Sequence, residues 1–210
     1  MKLKLLLILV LLFATNAVAQ IPGKFDVVPP SVAPMPHTFD TVEIDEVFSF
    51  TCPHCYEFHK QVGMLKAVFG SKLKINSRPI GWGGHNPGKL YFAGKSLGKG
   101  ERVKTRIFQF VFDQRFGKNI HSIGLLKNIA MLEGFGNKFD ALMNAPKIIQ
   151  TMQESAKFAE SYQIDSTPTI VVEGILITPG NVPNLVGIIN ALLKDPIQDP
   201  LAKMQNAGHQ

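Results

Sequence analysis

The chain has 210 residues, of which 45% are hydrophobic and 18% charged, a composition typical of a folded protein with a buried core and unlike that of a disordered chain. The net charge of +6 comes from 22 basic and 16 acidic residues, and the lysines are scattered. Because the chain has no dense basic run and no basic patch interleaved with aromatic residues, we expect no nucleic-acid partner.

Residues 1–19 have the pattern of a cleavable signal peptide. Lys2 and Lys4 precede the apolar run from Leu5 to Phe13, and Ala17-Val18-Ala19 is a small-x-small cleavage motif. The run is short for a membrane span, although a buried helix or a retained anchor remains an alternative. Cleavage would remove two lysines and no acidic residue, which lowers the net charge from +6 to +4. We therefore expect an exported protein, located in the periplasm of a Gram-negative cell.

The first half of the remaining chain predicts a strand, a helix and a second strand. A proline-rich lead-in, residues 20–40, contains one candidate edge strand, Lys24 to Val28. Thr41 to Phe50 ends in the apolar pattern of a buried strand, and Pro53 to Phe69 places apolar residues on one helix face. Leu73 to Ser77 alternates as a half-buried strand does. This order is that of a βαβ unit, whose strands we expect to pair in parallel.

The second half predicts a block of helices followed by a hairpin. Gly81 to Gly88 reads as a loop, after which some seventy residues have helical periodicity. Strand character returns at Thr169 to Val172, followed by a Glu173-Gly174 turn and the strand Ile175 to Ile177. A last helix is predicted from Val182 to Lys194, before a polar tail.

This order predicts an α/β fold in which one mixed sheet, flanked by helices, is interrupted by an all-helical insertion. The sheet domain would comprise residues 20–80 and 163–195, and the insertion residues 81–162. Residues 196–210 would form a flexible tail.

The two cysteines, Cys52 and Cys55, form a Cys-x-x-Cys motif where the strand pattern changes to a helical one. A structural disulfide that encloses only two residues would add little stability, because the gain shrinks with loop length. A zinc site assisted by His54 or His59 is a further alternative, but no second Cys-x-x-Cys is present. Export combined with one such motif favours a catalyst that acts on the thiols of other proteins.

The position of the motif predicts two unequal sulfurs. Pro53 suits the first position of a helix, which places Cys52 at the cap. The unpaired N–H groups and the positive end of the helix dipole stabilise a thiolate there. Cys55 would lie one turn further in and away from water. We therefore predict a nucleophilic Cys52 and a buried Cys55.

Cys52-Pro53-His54-Cys55 after an apolar strand, a helical block between two sheet segments, and Thr167-Pro168 before a hairpin resemble the DsbA family of thiol:disulfide oxidoreductases. The similarity extends over roughly Lys24 to Lys194. It implies a thioredoxin-like fold with a helical insertion, and an activity in which the Cys52–Cys55 disulfide is donated to cysteine pairs of exported proteins.

The resemblance also implies roles for single residues. Cys52 would be the attacking sulfur, with its thiolate supported by His54, and the Thr167–Pro168 peptide bond would be cis and face the cysteines. Glu46 would be the buried acid that assists proton transfer at Cys55; a solvated strand start is the alternative.

The buried lysine that partners this acid in the family would lie on the next strand. Lys74 is the nearest candidate there, and Asn76 stands near the same place.

The resemblance implies no cofactor other than the cysteine pair, and no nucleotide-binding glycine motif is visible in the sequence. A membrane-embedded, quinone-linked partner of the DsbB type would re-oxidise the protein, which we expect to be a monomer. Thr167 before the proline also suggests a disulfide isomerase or reductase as an alternative, although the short lead-in offers no dimerising region. A metal-binding module is the second alternative.

Overall fold

The computed structural model describes residues 21–28, 32, 40–82 and 84–194. The predicted signal peptide, residues 1–19, and the predicted tail, residues 196–210, lie outside the described residues. Within them, no helix is both long enough and apolar enough to cross a membrane.

A five-stranded mixed sheet forms the centre of the structure, in the order β1-β5-β4-β2-β3. β2 and β3 are parallel, as predicted, whereas the β1–β5, β5–β4 and β4–β2 pairs are antiparallel. The strands are β1 (Asp26–Val27), β2 (Val42–Phe48), β3 (Leu73–Pro79), β4 (Thr169–Val172) and β5 (Leu176–Pro179).

Helix α1 (Pro53–Phe69) connects β2 to β3, and α7 (Val182–Lys194) follows β5. The helices between β3 and β4 are α2 (Asn86–Ser96), α3 (Gly100–Phe108), α4 (Ile123–Leu132), α5 (Phe139–Met143) and α6 (Pro146–Ser161). α3 continues as a π-helical turn, Gln109–Asp113. The predicted mixed sheet with a helical insertion is therefore confirmed.

One apolar core lies between the sheet and the pair α1 and α7. α1 buries the face that its periodicity predicted, and β2 and β4 contribute alternate side chains to the same core. Each large aliphatic side chain buried in this way stabilises the fold by about 1.5–3 kcal/mol. The α1 residues of this core are Phe58, Val62, Leu65 and Phe69.

A second core joins the insertion to the carboxyl end of β2. It is built around Phe48, Phe50 and Phe108, and it includes Cys55. α6 reaches from this core to the opposite face of the sheet, since its first half packs in the insertion while Ala159 packs beside Val47. Cys55 therefore lies where the sheet, α1 and the insertion meet.

Candidate active site

The Cys-x-x-Cys motif lies at the start of α1, as predicted. Cys52 is the N-cap residue, with extended backbone angles, and Pro53 occupies the first turn. The backbone N–H of Cys52 donates to the carbonyl oxygen of Ser49 at 3.2 Å, which closes the turn between β2 and α1. The sulfur of Cys52 is thereby held at the amino end of a 17-residue helix.

The two cysteines are free thiols with different surroundings. Cys52 is half-buried, whereas Cys55 is 0% exposed. The predicted inequality in burial is therefore confirmed.

The pKa of the Cys52 thiol lies below its ordinary value. Burial by itself raises this pKa, but a side-chain hydrogen bond with Thr167 and a further one with Cys55 lower it. The backbone N–H groups of Cys55 and His54, at the open end of α1, lower it as well. Because these bonds stabilise the anion, they outweigh burial and favour the thiolate.

Burial strongly raises the pKa of the Cys55 thiol. Hydrogen bonds with Ser49 and Thr167 oppose this effect, but they do not overcome it. Cys55 therefore keeps its proton under conditions in which Cys52 loses one.

The loop before β4 faces the cysteines. The Thr167–Pro168 peptide bond is cis, as the family resemblance implied. The Cys52 thiol donates to the carbonyl oxygen of Thr167, with 3.3 Å between the two atoms. Gly180 packs behind this loop so closely that a Cβ there would lie 2.6 Å from Pro168 Cγ, so the position accepts only glycine without rearrangement.

His54 lies on the exposed side of the first turn of α1. Its backbone N–H is among the groups that lower the pKa of Cys52, but its imidazole is not. The predicted role of the His54 ring stays a prediction.

Glu46 is buried, at 1% exposed, so the alternative of a solvated strand start is wrong. Its Oε2 accepts hydrogen bonds from the Lys104 ammonium at 2.5 Å and the Ser77 hydroxyl at 3.0 Å. Ser77 is the residue directly beside Glu46 in the parallel β2–β3 pair. A buried carboxylate next to a buried cation and a hydroxyl is much less costly than an isolated one.

The expected lysine position on β3 is wrong. Lys74 is exposed and pairs in register with Glu43, and Asn76 donates to Glu43. The partner of Glu46 comes instead from α3, almost sixty residues further along the chain. A lysine on an insertion helix gives no sequence signal that connects it to a particular strand residue.

His59 is half-buried, and the sequence named it only as a possible helper of a zinc site. Its Nε2 lies 2.9 Å from the hydroxyl of Thr105, whose own hydrogen is donated to the carbonyl oxygen of Glu101. Nε2 therefore carries the imidazole hydrogen, and Nδ1 has no partner among the described residues. Burial, then the charge of Lys104, lowers the pKa of His59 to about 4. The available signal was its place one turn after Cys55 on α1.

Tyr56, directly after Cys55, ties the motif to the insertion. Its ring stacks on Phe112 with 5.1 Å between ring centroids, and its hydroxyl donates to both carboxylate oxygens of Asp113 at 2.9 Å. Phe112 and Asp113 belong to the π-helical turn, a local distortion often found at functional sites.

The metal-binding alternative has little structural support. In the part of the chain that the structure describes, no group of three or more His, Cys, Asp or Glu side chains is arranged to hold a metal ion. The neighbours of the cysteines are instead hydroxyl groups, backbone groups and aromatic rings.

Comparisons with known proteins agree with this geometry. A family model described as "Thioredoxin" matches residues 40–191. The thiol:disulfide interchange protein DsbA of Burkholderia cepacia is 27% identical over 190 residues, which cover 86% of this chain and 87% of that protein. DsbA of Yersinia pestis is 26% identical over 139 residues, covering 63% of this chain and 66% of that one.

Solved structures show the same fold. The oxidoreductase DsbA from Xylella fastidiosa superposes with a TM-score of 0.69 at 24% identity, covering 83% of this chain and 97% of that one. DsbA from Pseudomonas aeruginosa superposes with a TM-score of 0.64 at 22% identity, covering 89% and 94%. The expected thioredoxin-like architecture is thus confirmed.

Proposed function

The chain belongs to the DsbA family of the thioredoxin fold, and on that premise we propose that this thiol:disulfide oxidoreductase donates its Cys52–Cys55 disulfide to cysteine pairs of exported proteins during oxidative folding. The observation that carries the proposal is the inequality of the two sulfurs. Cys52 is accessible and its pKa is lowered, whereas Cys55 is buried and its pKa is raised. A dithiol of this kind is stabilised as one thiolate and one thiol, so its disulfide is a strong oxidant.

The reaction consists of two thiol–disulfide exchanges. A substrate thiolate attacks the Cys52 sulfur, a mixed disulfide forms, and Cys55 leaves as a thiolate that takes up a proton. The second substrate thiolate then attacks the substrate sulfur of the mixed disulfide, and Cys52 leaves with the electron pair. The substrate is oxidised by two electrons and the enzyme is reduced by two. Because Cys52 is the final leaving group, lowering its pKa favours this direction.

In this proposal Glu46 exchanges a proton with Cys55. Its carboxylate lies on the same face of β2 as Phe48, whose ring shares the second core with Cys55. A buried carboxylate can accept the Cys55 proton when that thiol attacks, and return it when Cys55 leaves.

The loop at Thr167 and Pro168 contributes the substrate-binding surface. The Thr167 carbonyl oxygen already contacts the Cys52 sulfur, so a peptide disulfide-bonded to Cys52 would run beside this backbone. Backbone pairing binds extended peptides with little demand on their sequence. Pro168 has no N–H to compete for the sulfurs.

The remaining assignments follow from family membership and the sequence. The protein would act in the periplasm as a monomer after removal of residues 1–19, and a membrane-embedded, quinone-linked oxidase of the DsbB type would re-oxidise it. Residues 20–80 and 163–195 would form the sheet domain and residues 81–162 the insertion. The cysteine pair is the redox group, and no other cofactor is proposed. The isomerase or reductase alternative, suggested by Thr167, is less favoured because the curated relatives are named for disulfide interchange of the DsbA type.

The redox equilibrium of the Cys52–Cys55 pair with glutathione tests the proposal. We expect an equilibrium constant far on the oxidising side of an unstrained dithiol, together with catalysed oxidation of a reduced client protein. A strongly reducing pair would contradict the oxidase assignment. Refolding of a scrambled multi-disulfide protein separates the alternatives, since an isomerase would restore its activity and an oxidase would not.

A further inference from the structure

Helix α1 begins at a residue that caps it poorly. Its N-cap is Cys52, whose side chain makes no capping hydrogen bond among the described residues. Helices usually begin at Ser, Thr, Asp or Asn, whose side-chain oxygen accepts one of the free N–H groups of the first turn. In α1 those N–H groups face the Cys52 sulfur instead, and the ones of His54 and Cys55 lower the pKa of Cys52. The start of this helix therefore needs an anchor outside the helix.

Ser49 holds the turn that leads into α1. Its hydroxyl oxygen accepts a hydrogen bond from the Thr51 N–H at 3.3 Å and lies 3.0 Å from the Thr51 hydroxyl. Its carbonyl oxygen accepts a bond from the Cys52 N–H at 3.2 Å. One residue thus binds the two consecutive N–H groups before the helix, in the way that serine fixes tight turns. Ser49 is 5% exposed, so little water competes for these bonds.

We propose that Ser49 is a positioning residue for the disulfide exchange: from three residues upstream, it supplies the anchor that a cysteine does not supply at the start of α1, and it thereby keeps the Cys52 sulfur against the open N–H groups of the first turn. The Ser49 hydroxyl acts through the backbone of Thr51 and Cys52 and does not itself take part in the exchange. This inference rests on the proposed function and adds to it a residue outside the Cys-x-x-Cys motif.

The second core fixes only the centre of the same turn. Phe50 is 4% exposed, and the centroid of its ring lies 5.0 Å from that of Phe48 and 5.1 Å from that of Phe108. The next residue, Thr51, has an exposed side chain. Because no apolar packing holds Thr51 in the way that it holds Phe50, the hydrogen bonds of Ser49 determine how the chain leaves the core and enters the helix.

The main chain of Ser49 also reaches the inner cysteine. A backbone hydrogen bond with Ser49 opposes the effect of burial on the pKa of Cys55. The carbonyl oxygen of Cys52 accepts from the Tyr56 N–H at 3.2 Å, in the first turn of α1. If Ser49 loses its hold on the turn, this first bond is free to fray, and the alignment of both cysteines is loosened with it.

The consequence for the reaction lies in its last step. The second thiolate of the client attacks the client sulfur of the mixed disulfide, the two client sulfurs bond to each other, and Cys52 leaves with the electron pair. The N–H groups that stabilise this charge are most effective when they already point at the sulfur, because reorienting them during the step costs free energy. A frayed first turn would therefore make Cys52 a poorer leaving group.

Thiolate absorbance of the reduced protein and its redox equilibrium with glutathione test the proposal. In Ser49→Ala we expect the midpoint of the Cys52 titration to rise by up to about one pH unit, which is the size of effect that one ordinary hydrogen bond produces. The glutathione equilibrium should shift toward the disulfide form by roughly two- to tenfold for the same reason. A serine with a purely structural role would lower the free energy of unfolding and leave the midpoint unmoved.

Three further variants separate the anchor from its surroundings. Ser49→Thr keeps the hydroxyl and should restore both the midpoint and the equilibrium. Thr51→Val removes the other hydroxyl of the turn but keeps the N–H that binds Ser49, so both quantities should stay at their wild-type values. Ser96→Ala removes a hydroxyl that donates to the Ala93 carbonyl oxygen at 2.7 Å in α2, and it is the control for the loss of such a bond elsewhere.

The proposal is overturned if Ser49→Ala keeps the wild-type midpoint, if Thr51→Val or Ser96→Ala moves it as far, or if Ser49→Thr does not restore it. If Ser49→Ala does not fold, hydrogen exchange in the reduced wild-type protein is the test. The N–H groups of Thr51 and Cys52 should then exchange slowly, and exchange as fast as in an unfolded peptide would overturn the proposal. Failure of the proposed function looks different, since the wild-type protein itself would then have a Cys52 that titrates like free cysteine, or a reducing equilibrium with glutathione.

Discussion

Cys52 and Cys55 are separated by less than one turn of the same helix, yet the pKa of Cys52 is lowered and the pKa of Cys55 is raised. Cys52 faces the Thr167 loop and the open N–H groups of α1, which lower its pKa. Cys55 faces the second core, where burial raises its pKa. The comparison shows that the motif supplies two identical side chains, whereas the elements packed on either side of them determine their different chemistry.

The lowered pKa of Cys52 makes the stability of the reduced protein depend on pH. The pKa of Cys52 is lower in the folded, reduced protein than in an unfolded chain, so its thiolate stabilises the reduced fold above the ordinary cysteine pKa. That stabilisation is lost as the pH falls through the lowered pKa. The oxidised protein has no such group, so only the reduced form has this contribution to its stability.

Removing either sulfur should have the largest effect. Cys52→Ser should lower client oxidation by roughly 10⁴-fold or more, as expected when a nucleophile is lost. Cys55→Ser should instead accumulate a mixed disulfide on Cys52, because the resolving sulfur is absent. A client-oxidation assay measures the first outcome, and mass spectrometry after incubation with oxidised glutathione measures the second. A mixed disulfide on Cys55 of the Cys52→Ser variant, with none on Cys52 of the Cys55→Ser variant, would reverse the assignment.

His59, which packs against Phe108 in the core that includes Cys55, should make the fold less stable in acid. His59 is neutral in the folded protein, with a pKa of about 4 instead of the 6.5 of free histidine. Between these two values the unfolded chain binds a proton that the folded chain does not, so the free energy of unfolding falls as the pH drops. The loss amounts to roughly 3 kcal/mol by pH 4.

His59→Phe keeps a ring beside Phe108 and should make the free energy of unfolding less dependent on pH between 6.5 and 4. Urea unfolding at several pH values measures the effect. His85→Ala, at an exposed loop position, serves as the control and should keep the wild-type dependence. An equal dependence in all three proteins would show that His59 is protonated in the fold.

On the Cys52 side, Thr167→Val should make the protein a weaker oxidant. The variant keeps the shape of the side chain but removes the hydroxyl that hydrogen-bonds to the sulfur, so the pKa of Cys52 should rise. Each unit of that rise corresponds to roughly 30 mV in the potential of the pair. Thiolate absorbance and the glutathione equilibrium measure the two quantities. Thr169→Val is a matched control, because the Thr169 hydroxyl donates to Ser166.

The smallest effect is expected from His54→Ala. If the imidazole supports the thiolate, the pKa of Cys52 should rise and the protein should become less oxidising, although the variant keeps the backbone N–H that lowers this pKa. The same titration is the test. An unmoved midpoint would show that only the main chain of residue 54 contributes.

Local sequence patterns predicted much of the fold. α1 begins at Pro53 and ends at Phe69, and α7 spans Val182–Lys194, both as their periodicity and flanking residues indicated. The hairpin turn at Glu173-Gly174 has positive φ at both residues, as a two-residue turn requires. These features depend on neighbours within a few positions, which a sequence displays directly.

The contacts that the insertion makes with β2 and α1 were harder to predict. Lys104 and Asp113 come from the insertion, and each meets its partner across more than fifty residues of chain. The family resemblance placed the lysine on the next strand, but Ser77 occupies the position beside Glu46 in this protein. No spacing rule predicts a contact between separate elements, since the contact depends on how the elements pack.

By itself, the amino-acid sequence determined the reactive pair and its place at a helix start, because capping and backbone preferences act over one turn. The tertiary structure decided what each sulfur contacts: the Thr167 loop beside Cys52, and the insertion core that covers Cys55. It also decided that the cation beside Glu46 comes from α3. The strengths of burial and charge depend on distances in space, which are set only when the sheet and the insertion pack together.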